Sequence, residues 1–337
     1  MNPPAKYYAL LSGEHPLIPL GELRGILEAE AGSYEIVAYY DGIALFNAGI
    51  PRLEAITERA GWVKEVGILL AVAEDDPQDV IATIRGISLA NGSCLEYTRY
   101  KGYASHIDDK RLKAGLREIL TCTKRGSTVR VFITEGLAFI GLVRGRLDTR
   151  SLMLRRPGRR PFFRPGPLSP QLTRAMINLA RARRGEAFLD PFCGTGGFAI
   201  EASIIGCRPC LCGELVPVMV RGARVNIAHY RLSGSCLVLA HNAASMPVRE
   251  EAVNAIATDP PYGRSTTTKH YGYEGLVRLF LEEAGRVLIR GGYLVFAGPV
   301  SKRPDILAVD SGFQVVEKYE MHVHSSLTRM IVVARKH

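Results

Sequence analysis

The sequence predicts an α/β fold: a doubly wound, mainly parallel sheet in the second half, preceded by a smaller α+β region. Three observations predict it. From Ala187 onward, short apolar runs alternate with stretches of helical periodicity, as in strands joined by crossover helices. Between Tyr7 and Val143 the runs are short, and two of them turn back at Asp41-Gly42 and Glu135-Gly136, as in hairpins. Between the two halves lies a stretch dense in arginine and proline and free of acidic residues.

Composition sets the frame. The chain has 337 residues, room for two or three domains. An apolar fraction of 47% and a charged fraction of 23% are those of a globular protein. The formal net charge of +10 favours an anionic partner. No apolar run reaches the ~20 residues that a membrane span requires, and Met1 to Leu10 lacks a charged-then-apolar leader pattern. A cytoplasmic protein with no membrane partner is expected. Seven scattered cysteines, an odd number, suggest reduced thiols. Cys207, Cys210 and Cys212 cluster but have no fourth ligand nearby, so no metal site is expected.

In the first half, Tyr7 to Leu11 reads as a strand. Leu20 to Glu30 reads as a helix with Leu20, Leu23, Ile26 and Leu27 on one face. Tyr34 to Tyr40 and Gly42 to Asn47 read as a hairpin, Pro51 as the start of a helix, and Val63 to Val72 as a strand. Asp76-Pro77 opens a helix to about Ala90, because proline loses no needed donor at the first helical position. Leu95 to Tyr100 is a strand and Asp109 to Leu120 has helical spacing. Thr128 to Thr134 and Ala138 to Val143 form a second hairpin. No paired acid and base and no activated nucleophile stands out here, as expected of a binding module.

Ser151 to Gly185 holds nine arginines. Prolines 157, 161, 165 and 167 interrupt it, so 151–168 is expected to be a linker. Ser169-Pro170 then caps a helix through Arg183. Guanidinium forks match phosphate oxygens, which makes Arg155, Arg156, Arg159, Arg160 and Arg164 candidate nucleic-acid contacts. Phe162 and Phe163 are expected to pack the linker down, with base stacking as the alternative.

In the second half, strands are expected at Ala187 to Asp190, Cys210 to Glu214, Cys236 to Ala240, Val253 to Thr258 and Gly292 to Ala297. Helices are expected at Thr195 to Ile205, Pro217 to Tyr230 and Tyr273 to Leu288, with a closing hairpin at Val315 to Met321 and Arg329 to Ala334. Such sheets bind ligands at the carboxyl ends of their strands, and four positions fall there. Asp190-Pro191-Phe192-Cys193-Gly194-Thr195-Gly196-Gly197 turns a strand into a helix through glycines that let the backbone approach a ligand. Glu214, 20 residues after Gly194, is placed to accept from ribose hydroxyls. Asn242 follows the third strand, where its amide meets an adenine edge, and Asp259 follows the fourth. A dinucleotide oxidoreductase also uses glycines and an acid, but this spacing is not G-x-G-x-x-G, and Asp259-Pro260-Pro261-Tyr262 has no role in hydride transfer.

Together the two stretches resemble the cofactor and catalytic motifs of S-adenosylmethionine-dependent amino-methyltransferases. The chemistry fits. An exocyclic amine on a base is a poor nucleophile because its lone pair is delocalised. Two acceptors aimed at its hydrogens, the Asp259 carboxylate and the Pro260 carbonyl, would orient it. Pro260 and Pro261 stiffen the loop and carry no N–H. Tyr262 offers a ring to a base turned out of its helix.

The chain as a whole resembles the archaeal tRNA (guanine-10-N2)-dimethyltransferases and their eukaryotic catalytic-subunit relatives. The resemblance is strongest over Arg159 to Gly166, Leu189 to Glu201, Thr258 to Lys269 and His324 to Arg329. It implies a Rossmann-fold class I methyltransferase domain over 169–337 behind a linker at 151–168. Before these it implies a ferredoxin-like domain over 1–55 and a THUMP RNA-binding domain over 56–150. The cofactor it implies is S-adenosyl-L-methionine, held by Asp190, Phe192, Gly194, Thr195, Gly196, Gly197, Glu214, Asn242 and Asp259. Asn242 stands where many relatives have aspartate. The substrate it implies is tRNA, with Asp259, Pro260, Pro261 and Tyr262 receiving the guanine and N2-methyl- then N2,N2-dimethylguanosine as products. A small activator subunit stays open as a second partner. Thr267 and Lys269 are expected at the pocket mouth or on a phosphate, and His322 and His324 in structural or RNA contacts. The alternatives are the same chemistry at another tRNA position or on ribosomal RNA, a DNA adenine-N6 methyltransferase, and a non-catalytic RNA-binding protein.

Overall fold

The computed structural model describes residues 5–89, 93–100, 112, 114–116, 119, 123, 126–262 and 268–337, the side chains of 268–271 excepted. The chain forms two compact units. The first comprises Met1–Glu14, Glu30–Glu58 and Val63–Leu147; the second comprises His15–Ala29, Arg59–Trp62 and Asp148–His337.

The first unit is built on one seven-stranded sheet in the order β2-β3-β1-β4-β7-β6-β5. Its strands are β1 (Tyr7–Leu11), β2 (Tyr34–Tyr40), β3 (Ile43–Ala48), β4 (Val63–Glu74), β5 (Cys94–Arg99), β6 (Thr128–Thr134) and β7 (Leu137–Arg146). All neighbours are antiparallel except β5 and β6. Both expected hairpins form. At the second turn Glu135 and Gly136 take φ of 48° and 77°, the left-handed pair that matches hairpin twist. Asp76 caps the helix Pro77–Gly86 by accepting from the Gln78 and Asp79 N–H groups at 2.8 and 3.1 Å. That helix stops four residues short of the expected end. Strands on both sides of position 55 share this sheet, with Tyr7 opposite Ile68. The expected Asp109–Leu120 helix lies largely outside the described residues, although Leu112 and Leu116 are buried in the unit's core.

The second unit carries the expected Rossmann-like sheet, in the order β10-β9-β8-β11-β12-β14-β13. Its strands are β8 (Phe188–Asp190), β9 (Cys210–Glu214), β10 (Cys236–Ala240), β11 (Val253–Thr258), β12 (Leu288–Pro299), β13 (Phe313–His324) and β14 (Leu327–Lys336). The first five are parallel, and β14 runs antiparallel between β12 and β13. After β8 the chain winds to β9 and β10, then returns to the other side of β8 as β11. The topological switch point, where such sheets bind ligands, therefore lies between β8 and β11.

Three helices of this unit matter for the site, αA (Pro170–Leu179), αB (Gly197–Ile205) and αC (Pro217–His229). Ser169 caps αA by accepting from the Leu172 N–H at 3.3 Å. The helix ends at Leu179 rather than Arg183, because Arg181 takes a left-handed φ of 53° and its guanidinium is held by Glu28 at 2.9 Å and Glu317 at 2.6 Å. The helix Ile18–Glu30 contributes most of its length to this unit. Its Glu22 is fully buried and accepts from the Gly61 and Trp62 N–H groups at 2.7 Å and from Asn178 Nδ2 at 2.8 Å. Two elements were not expected: a 3₁₀ turn at Val300–Lys302 and a helix at Pro304–Asp310.

The 151–168 stretch is more ordered than a linker. It contains the end of a helix, Thr149–Leu154, and a 3₁₀ turn, Pro157–Arg159. Cys193, Cys207, Cys210, Cys212 and Cys236 are buried free thiols, as expected. Cys94 is disulfide-bonded, against the expectation of reduced cysteines throughout.

Candidate active site

The carboxyl ends of β8, β9 and β11 open into a cavity of about 710 Å³, within the ~300–1,000 Å³ usual for small-molecule sites. Asp190, Phe192, Gly194, Thr195, Gly197, Glu214, Asn242, Asp259, Pro260, Pro261 and Tyr262 all line it. The two motifs read from the sequence thus meet in one place. Gly196 does not line the cavity. It caps αB with φ 85°, facing αC, where an added Cβ would lie 3.6 Å from that of Ala223. Its contribution is to let the loop turn.

Asp190 is strongly perturbed. Its Oδ1 accepts from Thr258 Oγ1 at 2.7 Å and from the Phe192 N–H at 3.2 Å, which ties the end of β8 to the end of β11. Its Oδ2 is buried and has no hydrogen-bond partner among the described residues. Burial pushes the carboxyl up to about 7. An orphaned buried oxygen on a cavity wall is costly unless a ligand supplies a donor.

Glu214 closes the glycine turn. One oxygen accepts from the Gly194 N–H at 3.0 Å and the other from the Val216 N–H at 2.8 Å. The 20-residue spacing seen in the sequence is thus a direct contact. Each oxygen keeps a lone pair for a hydroxyl donor. Asn242 Oδ1 already accepts from the Ala244 N–H at 3.0 Å, so toward a ligand it offers one remaining lone pair and its NH₂. The cavity is polar where an amino acid and a ribose would need partners and apolar at Phe192, Leu215 and Met219. The residues present therefore fit an adenosyl amino acid cofactor.

On the same cavity, Asp259 follows β11. Its Oδ1 accepts a short hydrogen bond from the Tyr262 hydroxyl. That hydroxyl accepts in turn from Arg329 Nε at 2.9 Å. Arg329 Nη2 lies 3.7 Å from Asp259 Oδ2, and the guanidinium sits over the Tyr262 ring, 5.7 Å from its centroid. Burial raises the Asp259 carboxyl above its usual range, while Arg329 and Tyr262 pull it back down. Burial and the Asp259 charge hold the Tyr262 phenol far above its ordinary value, so it stays a donor. Burial works against the charge on Arg329, and Asp259 and Tyr262 more than offset that. Tyr262, expected as a stacking ring, is therefore also a hydrogen-bond bridge.

Arg329 is the functional residue that sequence reasoning passed over. It stands near the start of β14, 67 residues from Tyr262, and no local pattern connects the two. His324 and Leu327 also line the cavity. His324 Nδ1 is 3.1 Å from Ser326 Oγ, within its own turn.

The five candidate arginines divide. Arg155 is buried and grips Glu201 with two bonds, 2.7 and 3.0 Å, beside Arg174, which bonds the same carboxylate at 2.7 Å. Arg160 is buried behind the glycine loop, donating to the Arg155 carbonyl at 3.0 Å and to Thr195 Oγ1 at 3.3 Å. These two are taken up inside the domain and do not face a polyanion. Arg156, Arg159 and Arg164 are exposed. Phe162 packs as expected, against Gly222, with Asn226 bonding both its N–H and its carbonyl at 2.9 Å. Phe163 does not pack; it is 50% exposed. Thr267 and the side chain of Lys269 lie outside the described residues.

Comparison with known proteins agrees with this geometry. Residues 157–331 match UPF0020, described as RMKL-like, methyltransferase domain. The chain is 32% identical to a tRNA (guanine(10)-N2)-dimethyltransferase of Methanothermobacter thermautotrophicus, over 97% of this chain and 98% of that protein. It is 34% identical to a tRNA (guanine(6)-N2)-methyltransferase of Thermus thermophilus, over 55% of this chain and 53% of that one. The fold resembles the crystal structure of TrmN from Thermus thermophilus, with a TM-score of 0.55 and 22% identity, covering 98% of this chain and 99% of that one.

Proposed function

The chain belongs to the family of archaeal tRNA (guanine(10)-N2)-dimethyltransferases, and from that premise we propose that it methylates the exocyclic N2 amine of a guanosine in tRNA. The target is position 10, the cofactor is S-adenosyl-L-methionine, and the products are N2-methyl- and N2,N2-dimethylguanosine. One observation carries the reading: Asp259 and the Asp190–Glu214 pair line one cavity at the switch point, with Thr258, the neighbour of Asp259, bonded to Asp190.

When bound, S-adenosyl-L-methionine supplies a methyl group activated by a sulfonium. Everything else falls to this chain. Asp190 Oδ2 would accept from the cofactor's ammonium, and Glu214 would accept from its ribose hydroxyls. The Asp259 carboxylate and the Pro260 carbonyl accept from the two amine hydrogens of the guanine. This holds the nitrogen lone pair toward the methyl group and favours the pyramidal, positively charging nitrogen. Arg329, directly and through Tyr262, holds the Asp259 carboxylate in place and opposes the upward pull of burial on it. The N–H bond that points at Asp259 breaks after transfer, and its proton passes to the Asp259 carboxylate. In a second round the amine has one hydrogen left and needs one acceptor.

The first unit, read as ferredoxin-like and THUMP regions, docks the tRNA. Among the described residues no helix is long and apolar enough to cross a membrane, and we place the enzyme with its substrate in the cytoplasm.

The test is methyl transfer from labelled S-adenosyl-L-methionine to tRNA transcripts, with nucleosides mapped by mass spectrometry. The expected products are mono- and dimethylguanosine at position 10, lost in Asp259→Ala while cofactor binding persists. Methylation at a different guanine would overturn the position, and N6-methyladenine or no transfer would overturn the substrate.

A further inference from the structure

Beside the cavity runs a ledge of chain that the mechanism does not use. Pro165, Gly166, Pro167 and Leu168 form part of the cavity wall. Just upstream, Arg164 and Phe163 are exposed, as are Arg159 and Arg156. Phe163 stands two residues before Pro165, within about 7 Å along an extended chain. Its neighbour Phe162 is fastened on both backbone groups by Asn226 and fills the space above Gly222. The next side chain is thereby turned outward on a rigid footing. Arg164 lies over the Phe162 ring, 5.9 Å from its centroid. Arg156, Arg159 and Arg164 have no acidic partner among the described residues, and the sequence from Ser151 to Gly185 offers none.

A single exposed aromatic is ordinary. An exposed aromatic held firmly, flanked by three uncompensated guanidinium groups and adjoining the cavity rim, has the makings of a single-stranded nucleic-acid contact. There phosphates meet cations and bases stack on a ring. We infer that the RNA flanking the target guanosine lies on this ledge, one base stacked on Phe163 and its phosphates on Arg156, Arg159 and Arg164. The inference rests on the reading of tRNA as substrate and adds to it a place and a mode of contact. A base displaced from its stack leaves its neighbours without a partner, and Phe163 supplies one beside the site of displacement.

The test uses the full chain, a tRNA transcript, and the variants Phe163→Ala, Phe163→Tyr and Arg159→Gln. Equilibrium binding is measured over a range of salt concentrations, and cofactor affinity is measured separately as the check on folding. Phe163→Ala should weaken tRNA binding about 5- to 140-fold (roughly 1–3 kcal/mol, the value of one stacked base) with cofactor affinity unchanged. Phe163→Tyr should bind within about twofold of wild type, because any aromatic face serves. Arg159→Gln should reduce the slope of log affinity against log salt by about 0.7–0.9, one phosphate contact, while Phe163→Ala leaves that slope unchanged. Wild-type affinity in Phe163→Ala would overturn the inference. So would a loss that Phe163→Tyr does not restore, or one matched by loss of cofactor, since either marks a packing role. Failure of the functional reading looks different: the wild-type protein would bind tRNA on this ledge yet transfer no methyl group to guanine.

Discussion

Arg329 offers the sharpest test of how the site works. Its Nη2 is 3.7 Å from Asp259 Oδ2. Two unit charges at that separation attract by roughly 4 kcal/mol at an effective dielectric of about 20. The Asp259 side chain is 18% exposed, so water screens part of this attraction. Burial already lifts Asp259, and Arg329 opposes that lift. The ionised carboxylate is the acceptor, so transfer should rise with pH through this pKa. Arg329→Met removes the opposing charge and should move the acid limb of the rate profile toward higher pH. The loss of rate should be severe at low pH and shrink as pH rises. Arg329→Lys keeps the charge and should leave the limb close to that of wild type, with a lower plateau from the lost bond to Tyr262. The assay is single-turnover methyl transfer at saturating cofactor and tRNA from pH 5 to 9.5, with cofactor affinity as the folding check. A uniform fall in rate with the limb unmoved would refute the reasoning, because Arg329 would then act on the substrate and not through Asp259.

Two further outcomes follow from buried charge. In the ligand-free protein Asp190 titrates near 7, against 3.8 for an ordinary carboxyl. Between those values the folded chain keeps a proton that the unfolded chain has released, so stability falls as pH rises from about 4 to 7 and levels off above, by roughly 4 kcal/mol at most. Asp190→Asn should abolish that slope and weaken cofactor binding; melting curves that stay parallel for both proteins across this range would contradict it. Glu201→Gln should cost about 3–5 kcal/mol, because Arg155 and Arg174 would be left buried without their counter-ion. Urea unfolding followed by the fluorescence of Trp62, the single tryptophan and a member of this unit's core, measures it, and a loss below about 1 kcal/mol would show that water reaches the pair.

What the sequence disclosed depended on whether the deciding contact was local. The bounds of β9, β10 and β11 are those expected: β9 and β11 are interior parallel strands that read as apolar runs, and β10, although it is the half-exposed edge strand, is as apolar in sequence. The glycine turn and Asp259 were legible because strand ends in such a sheet have fixed meaning. The end of αA was not, since the residue that stops it, Arg181, is held by Glu28 and Glu317, 153 and 136 positions away. Helix Pro304–Asp310 was missed because the region reads as strand, turn and strand, and seven residues give too short a periodicity to stand out.

The arginine stretch makes the same point with consequences for function. Arg155, Arg156, Arg159, Arg160 and Arg164 are alike by composition. Glu201, 46 positions from Arg155, and Thr195, 35 positions from Arg160, draw two of them inward. Arg160 then backs the glycine turn, its Nη1 3.1 Å from where a Cβ on Gly197 would stand. One run of basic residues thus divides between two tasks. Its inward members brace the cofactor loop, and its outward members, with Phe163, face solvent just upstream of the residues Pro165, Gly166, Pro167 and Leu168 that line the cavity. Cofactor site and RNA ledge therefore share one rigid segment, so RNA bound on Arg156, Arg159 and Arg164 is held in register with the loop that positions the methyl donor.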